Sequence, residues 1–226
     1  MAGAQTGTGK TAAFALPILQ QLMKYTDASR PIRKLVLTPT RELAQQVYKS
    51  FLSYAENTQL NVVVAYGGVS INTQIAAFEK GADILIATPG RLLDHLTKEN
   101  VTLSQLQTIV FDEADRMLDM GFKDEIDQIL SRLPNKRQTL LFSATFDDAI
   151  FKLSKTLLNK PVLIEVSERN AAAAEVEQVV YTVDSDRKRE LTSFLIGSKN
   201  LQAPGAQAPD LEARDSLAPA VQAPVH

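Results

Sequence analysis

Short apolar runs alternate with amphipathic segments along residues 12–166 of the chain. Such runs are typical of strands buried in a parallel sheet, and the amphipathic segments are typical of helices that cover it. The runs predict strands over residues 34–38, 61–66, 83–87, 108–112, 137–143 and 162–166. The amphipathic segments predict helices over residues 42–55, 69–78, 92–96, 124–133 and 147–158. The alternation therefore predicts an α/β fold with a mostly parallel sheet flanked by helices.

The pattern changes after residue 166, so we interpret residues 1–166 as one domain. Residues 167–177 include four consecutive alanines among charged residues and predict a linker or a short helix. Residues 178–183 are typical of a strand and residues 186–196 of a helix, which predicts that residues 178–196 begin a truncated second domain. Residues 197–226 are rich in Ala, Pro and Gln and are expected to be disordered, because they cannot bury a core.

Composition narrows the class of protein. The 226 residues are 45% hydrophobic, which is ample for a core. No apolar stretch approaches the roughly 20 residues of a membrane span and no basic signal-peptide start is present, so we expect a cytoplasmic protein without membrane contact. The absence of Cys excludes disulfides, thiol catalysis and Cys-based zinc sites, and two His leave little room for a His-built site. The net charge of −2 means that any nucleic acid must be bound locally.

A glycine-rich segment followed by an apolar helical pattern opens the chain. Its glycines allow backbone N–H groups to surround phosphate oxygens at the start of a helix. In this pattern Lys10 reaches the outer phosphates and the Thr11 hydroxyl ligates Mg²⁺. The general pattern has Gly where this chain has Ala4, and a Gly- and Thr-rich tail preceding a helix is the alternative. The predicted nucleotide-binding residues are Ala4, Gln5, Thr6, Gly7, Thr8, Gly9, Lys10 and Thr11.

The apolar run 108–111 ends in the acidic segment Asp112-Glu113-Ala114-Asp115. A strand that ends in this way can hold Mg²⁺ with Asp112 and orient an attacking water with Glu113. Acidic residues that cap a helix are the alternative, and the glycine-rich segment favours the catalytic interpretation.

Two strand ends share the pattern Thr-Pro-x-Arg, at Thr38-Pro39-Thr40-Arg41 and at Thr88-Pro89-Gly90-Arg91. Thr is a good N-cap and Pro a good first helical residue, so each pattern predicts an open helix N-terminus beside an Arg. Two such sites suit successive phosphates of a nucleic-acid strand, although Thr-Pro also starts helices efficiently without any ligand. The pair Gly67-Gly68 permits close approach of a backbone, or forms a plain turn.

The hydroxyl residues Ser143 and Thr145 end the predicted strand 137–143. They could sense the hydrolysis site by hydrogen bonding. A helix cap before Asp147 is the alternative.

Taken in their order along the chain, these motifs resemble those of the DEAD-box RNA helicases. The sequence that flanks the motifs is similar to that of bacterial, RhlE-like members. The resemblance covers residues 2–196 and implies RecA-like P-loop domains that close around ATP and RNA to separate short duplexes. It implies ATP and Mg²⁺ as cofactors, with Lys10, Thr11 and Asp112 at the phosphates and metal and Glu113 as catalytic base. It also implies that Asp115, Ser143 and Thr145 couple the ATP and RNA sites. The implied RNA-binding residues are Pro39, Thr40, Arg41, Gly67, Gly68, Thr88, Pro89, Gly90 and Arg91.

The resemblance further implies backbone contacts to RNA with little base specificity, a monomer, and ribosome-assembly or RNA-decay factors as partners. The chain departs from the family in two places. It begins three residues before Ala4, where the family has an adenine-reading segment and a central strand beside the strand of Ser143. It also lacks the His-Arg-x-x-Arg motif of the second domain, so we expect turnover by this chain to be near background. A non-catalytic RNA-binding fragment and a non-functional truncated product are the alternatives.

Overall fold

Within the residues that the structure describes, seven parallel strands form one sheet, in the first of two structural units, Met1–Ala173. The structure is a computed structural model, which describes residues 1–3, 9–24, 29–165 and 181–198. The strands are β1 (Ala2–Gly3), β2 (Lys34–Leu37), β3 (Val62–Ala65), β4 (Ile84–Ala87), β5 (Thr108–Phe111), β6 (Gln138–Ser143) and β7 (Ile164–Glu165). Their order is β3-β4-β2-β5-β6-β1-β7. The predicted α/β class and all six predicted strands are confirmed.

Helices cover both faces of this sheet. In the described part of the first unit they are α1 (Lys10–Leu22), α2 (Arg41–Tyr54), α3 (Ile71–Glu79), α4 (Pro89–Thr97), α5 (Ala114–Asp119), α6 (Lys123–Leu130) and α7 (Asp148–Leu157). All five predicted helices are present, and α4 begins three residues before its predicted start. The six-residue helix α5 was not predicted, because it is too short to show a helical period.

Strand β2 shows why the apolar runs are continuous rather than alternating. Leu35 and Leu37 pack into the core on the face of α4, α6 and α7, whereas Val36 packs into the core on the face of α1 and α2. Successive strand residues point to opposite faces, so a strand between two helical layers is apolar at every position. The sheet is thereby held from both sides, with its strand ends free to carry loops.

The position expected for a strand leading into the glycine-rich segment is occupied by β1. Ala2 and Gly3 pair with Phe142 and Ser143 of β6 on one side and with β7 on the other. Two residues of the strand that was expected to be missing are therefore present, and they lie beside the strand of Ser143. Because β1 has only two residues, a groove of about 550 Å³ runs along Gln138, Thr139 and Leu140 of β6 on the side of β1.

The second unit, Ala174–His226, has one helix in its described residues. A 3₁₀ turn at Ser185–Arg187 leads into α8 (Lys188–Ser198), which confirms the predicted helix and extends into the predicted tail. Residues 181–183 form no strand, contrary to prediction, and the side chains of Tyr181 and Val183 are exposed. The predicted linker 167–177, residues 178–180 and the rest of the tail lie outside the described residues. No helix in the described ranges is both long and apolar enough to cross a bilayer.

Candidate nucleotide and nucleic-acid site

The predicted site residues gather at one edge of the sheet. The strands are parallel and in register, with Leu37 beside Ala87 and Phe111, and Phe111 beside Leu141. The residues that follow these strand ends therefore lie along the carboxyl edge, where open α/β sheets bind ligands. They include Thr38, Thr88, Asp112 and Ser143.

Helix α1 begins at the end of the glycine-rich segment. Gly9 has φ 82°, the left-handed region that glycine enters without strain, and its carbonyl accepts from Ala13 N over 3.1 Å. Lys10 and Thr11 are the first two helical residues, and Lys10 Nζ is buried without a hydrogen-bond partner among the described residues. The predicted phosphate-binding residues 4–8 lie outside the described residues. Residues 9–11 suit phosphate binding. The Lys10 ammonium, which has no partner among the described residues, lies at the N-terminus of α1, where backbone N–H groups lack intrahelical acceptors.

Asp112 is the buried carboxylate of the site. Its backbone N–H donates to Leu37 O over 2.9 Å, which continues the ladder between β5 and β2. The residue is 3% exposed, and Oδ1 has no hydrogen-bond partner within the described ranges. Burial raises the pKa of Asp112 to about 6; the Lys10 ammonium opposes this rise and the Glu113 carboxylate adds to it. An unsatisfied carboxylate beside an unsatisfied ammonium indicates a functional site rather than a packing role.

Asp112 and Thr11 suit a Mg²⁺ ion that is bound together with a nucleotide, rather than one that is held by protein ligands alone. The described residues contain no group of three or more Asp, Glu or His side chains that could enclose a metal. Mg²⁺ in phosphate sites takes one or two protein oxygens and completes its shell with water and phosphate. Asp112 Oδ1 and the Thr11 hydroxyl are oxygens of that kind, at the end of β5 and the start of α1.

Glu113 lies between β5 and α5 in a strained conformation. Its backbone has φ 55° and ψ 55°, a region that costs a residue with a side chain of order 1–3 kcal/mol. Arg116 Nη1 donates to Glu113 Oε2 over 3.3 Å. The sequence analysis missed Arg116, although its position three residues after Glu113 could have indicated the pair. The turn holds Glu113 beside Asp112 with 17% of its side chain exposed.

Asp115 joins α5 to the segment after β6. Its Oδ2 accepts from Ala144 N over 3.1 Å, from Thr145 N over 3.0 Å and from Thr145 Oγ1 over 3.1 Å. Ser143 Oγ donates to Thr145 O over 2.7 Å, so it joins Asp115 through Thr145. Thr145 does not cap α7, because Asp147 accepts from Ile150 N over 2.8 Å at that position. The structure thus joins Asp115, Ser143 and Thr145 in one network.

Removing the Asp115 carboxylate should loosen this connection. We expect Asp115→Ala to lower the free energy of unfolding by roughly 1.5–3 kcal/mol, because three donors lose a charged acceptor. Urea unfolding measures the change. Asp119→Ala, at the exposed end of the same helix, is the control and should change stability by less than about 0.5 kcal/mol. Equal losses in the two variants would contradict a specific role for Asp115.

The two Thr-Pro-x-Arg patterns start their helices differently. At α2 the cap is Thr40, whose Oγ1 accepts from Leu43 N over 3.2 Å, and Pro39 precedes the helix. The expectation that Pro39 is the first helical residue is wrong, because the capping hydroxyl comes one residue after it. At α4 Pro89 is the first helical residue and Thr88 stands at the N-cap without a side-chain hydrogen bond. Both helices present their N-termini at the carboxyl edge.

The two Arg side chains of these patterns approach the Gly67-Gly68 loop. Gly68 has φ 80°, and a Cβ added there would lie 3.1 Å from Arg41 Nη1. Arg91 Nη1 donates to Val69 O over 3.1 Å. Gly67 and Gly68 are exposed, and Arg41 has 51% of its side chain exposed. The structure therefore brings Arg41, Gly67, Gly68 and Arg91 together at the surface, whereas the predicted residues Pro39, Thr88 and Pro89 are buried.

The sequence analysis also missed the polar residues that hold this loop from below. Gln45 Nε2 donates to Tyr66 Oη over 2.7 Å, and Gln74 Nε2 donates to Tyr66 O over 3.1 Å. Glutamines on amphipathic helices carry no local signal of such contacts, since the partners are distant in sequence.

Comparisons with known proteins bear on this site. The profile of the DEAD/DEAH box helicase family matches residues 1–153. ATP-dependent RNA helicase CshA of Listeria monocytogenes is 40% identical over 201 residues, which cover 89% of this chain and 38% of that protein. ATP-dependent RNA helicase RhlB of Pseudomonas aeruginosa is 43% identical over 204 residues, which cover 87% of this chain and 51% of that protein.

A solved structure shows the same fold. The yeast DEAD-box splicing factor Prp28 matches with a TM-score of 0.71 and 33% identity, over 88% of this chain and 48% of that one. This chain thus spans about half or less of the length of the relatives it matches.

Proposed function

The chain belongs to the DEAD/DEAH box helicase family, and from that premise we propose that it is the nucleotide-binding portion of an ATP-dependent RNA helicase. Residues 1–166 form its RecA-like domain, residues 167–177 a linker, residues 178–196 the start of a second domain and residues 197–226 a tail. The RhlE-like subgroup, a cytoplasmic location, a monomeric state and partners in ribosome assembly or RNA decay belong to the same proposal.

One observation carries the proposal of ATP binding: Lys10 Nζ and Asp112 Oδ1 are both buried at the carboxyl edge of the sheet without a hydrogen-bond partner in the part of the chain that the structure describes. Leaving such atoms unsatisfied is costly, and a nucleotide phosphate with its metal supplies both missing partners. Residues 4–11 surround the phosphates, with Lys10 at the outer ones. Mg²⁺, when bound at Asp112 and Thr11, neutralises charge on the phosphate oxygens.

Glu113 is the proposed base. Its carboxylate stands one residue from Asp112, and the left-handed turn fixes where it points. It accepts a hydrogen bond from a water molecule and removes its proton as the water attacks the outer phosphate, whose bond to the bridging oxygen breaks so that ADP and phosphate leave. Arg116 holds the second oxygen of Glu113, which leaves the first for the water.

The loop and helix ends around Arg41 and Arg91 are proposed to bind the RNA backbone. Exposed N–H groups at a glycine pair and at two helix N-termini suit phosphates, with the Arg side chains adding charge. Asp115, Ser143 and Thr145 link the segment after Glu113 to the segment after β6. Movement at the hydrolysis site is thereby passed to a neighbouring strand end.

RNA-stimulated phosphate release tests this function. The rate of the unchanged chain is expected to be near background, and under single-turnover conditions Glu113→Gln should lower any protein-dependent part of it to the rate measured without protein, because it removes the base and keeps the shape. Asp119→Asn is the control and should keep the full rate. Equal rates for the chain and Glu113→Gln would reject Glu113 as the base. RNA binding without any phosphate release would favour the alternative, a non-catalytic RNA-binding fragment, which the exposed Arg41 surface also fits.

A further inference from the structure

A buried chain of polar side chains runs beneath residues 66–70, here called the glycine loop. His95 Nε2 of α4 lies 2.9 Å from Gln74 Oε1 of α3, and Gln74 Nε2 donates to Tyr66 O over 3.1 Å. On the other side of the ring, Asn100 Nδ2 lies 3.3 Å from His95 Nδ1. His95 is 0% exposed and Gln74 5% exposed. This series of hydrogen bonds therefore connects the interior of α4 with the backbone of the loop.

The hydrogen-bond requirements fix the direction of this chain. β3 is the edge strand, so the Tyr66 carbonyl beyond its end is satisfied by the Gln74 amide nitrogen. The amide oxygen of Gln74 then faces the ring, and His95 Nε2 must carry the hydrogen that it accepts. His95 Nδ1 is left as acceptor for Asn100 Nδ2. One neutral tautomer satisfies every member.

The surroundings favour that neutral form. Burial lowers the pKa of His95, and the Arg91 cation lowers it further, while Asp94 opposes the shift. Phe78 packs edge-on against the ring with centroids 4.9 Å apart. The ring is thus held in orientation by an aromatic neighbour as well as by its two hydrogen bonds.

The glycine loop has few other attachments. Gly67 and Gly68 are exposed, and Gly68 adopts a left-handed conformation. Beyond the Gln74 contact, Arg91 holds Val69 O from the side, Gln45 reaches the Tyr66 hydroxyl and Thr73 Oγ1 donates to Ser70 O over 2.8 Å. Gln74 is the most buried of these four donors, so its contact is the least open to competing water.

We propose that His95 is a positioning residue for RNA binding, which acts by fixing Gln74 so that its amide holds the Tyr66 carbonyl and orders the glycine loop. The RNA part of this inference rests on the proposed function. His95 touches no nucleic acid itself. It lies within the helix that carries Arg91, so the same helix supplies a charged contact at its start and the support of the loop one turn later.

The test combines two readouts on the full chain. Amide hydrogen exchange of residues 66–70 reports order in the loop without RNA, and fluorescence anisotropy with labelled oligouridylate reports RNA affinity. The variants are His95→Leu, Gln74→Leu, the double variant, and His95→Gln, which keeps a donor for Gln74. Thr108→Val is the matched control, since it removes a buried hydrogen bond from Lys34 Nζ at the opposite end of the sheet.

We expect His95→Leu and Gln74→Leu each to raise loop exchange and to weaken RNA binding roughly five- to tenfold, with His95→Gln close to the unchanged chain. The double variant should recover part of the lost stability, because neither Gln74 nor His95 is left facing an apolar replacement of the other, and it should still bind RNA weakly, since the Tyr66 carbonyl has lost its Gln74 donor. Thr108→Val should leave exchange in the loop unchanged.

If the double variant recovers both loop order and RNA affinity, His95 and Gln74 contribute only to stability, and the proposal is overturned. So would unchanged loop exchange in a folded Gln74→Leu variant. If the unchanged chain binds no RNA, the proposed function fails on its own, and the exchange measurement still decides whether His95 positions the loop.

Discussion

Mg-ATP should raise the melting temperature of the chain by about 5–10 °C, and Lys10→Ala should abolish this rise. A ligand at 100 times its dissociation constant adds about 2.7 kcal/mol to stability, and 1 kcal/mol corresponds to about 2–4 °C for a domain of this size. Lys10 Nζ is the buried cation aimed at the site, and no other described side chain satisfies it. Thermal unfolding with and without Mg-ATP is the measurement.

Two controls make this result specific. Glu113→Gln should keep the full rise, because the proposed base acts on water and is not needed to bind the phosphates. Lys123→Ala removes an exposed lysine paired with Asp127 and should also keep it. A rise that survives in Lys10→Ala would reject this lysine as a phosphate ligand, and no rise in the unchanged chain would mean that the nucleotide site is not assembled.

Asp112→Asn should stabilise the free protein while removing its response to Mg-ATP. A carboxyl whose pKa is higher in the folded protein than in the unfolded chain destabilises the fold as pH rises through the folded value, here about 6. The rise from 3.8 corresponds to on the order of 3 kcal/mol, since each tenfold change in ionisation is about 1.4 kcal/mol. Asn carries no charge, so it escapes this cost at neutral pH.

The pH dependence separates this effect from a change in packing. Urea unfolding should show the full gain of Asp112→Asn above about pH 7, and the gain should shrink to near zero below about pH 3, where Asp112 is mostly protonated in both states. Asp119→Asn, on the exposed end of α5, should show no such trend. A gain that is constant with pH would contradict charge burial as its cause.

The strands were predictable because burial on both faces leaves an unbroken apolar run, as in Leu35-Val36-Leu37. The first residue of α2 was less predictable, since the sequence allows the helix to begin at Pro39 or after Thr40. The capping hydrogen bond from Leu43 N to Thr40 decides between them. Asp112 and Glu113 could be predicted as site residues from their position directly after β5. The left-handed turn at Glu113 could not be predicted, because it depends on how α5 packs.

Contacts between distant residues were the least predictable. Gln74 lies 8 positions after Tyr66, the loop residue that it holds, and His95 lies 21 positions after Gln74. Both Gln74 and His95 belong to helices whose polar residues mostly face solvent. A polar residue on the inner face of a helix indicates a buried partner without naming it. His95 in particular gave no local sign that Gln74 would be that partner.

The pairing of β1 also bears on when the chain becomes able to bind a nucleotide. Ala2 and Gly3 lead into the glycine-rich segment, and their partners are Phe142–Ser143 and Ile164–Glu165. During synthesis these partners emerge from the ribosome after β2, β3, β4 and β5, which can already pair among themselves. Contacts between such distant residues form slowly, and a nascent domain orders its local parts first. A segment made before β2–β5 is thus anchored after them, and the nucleotide binding proposed for it becomes possible only late in folding.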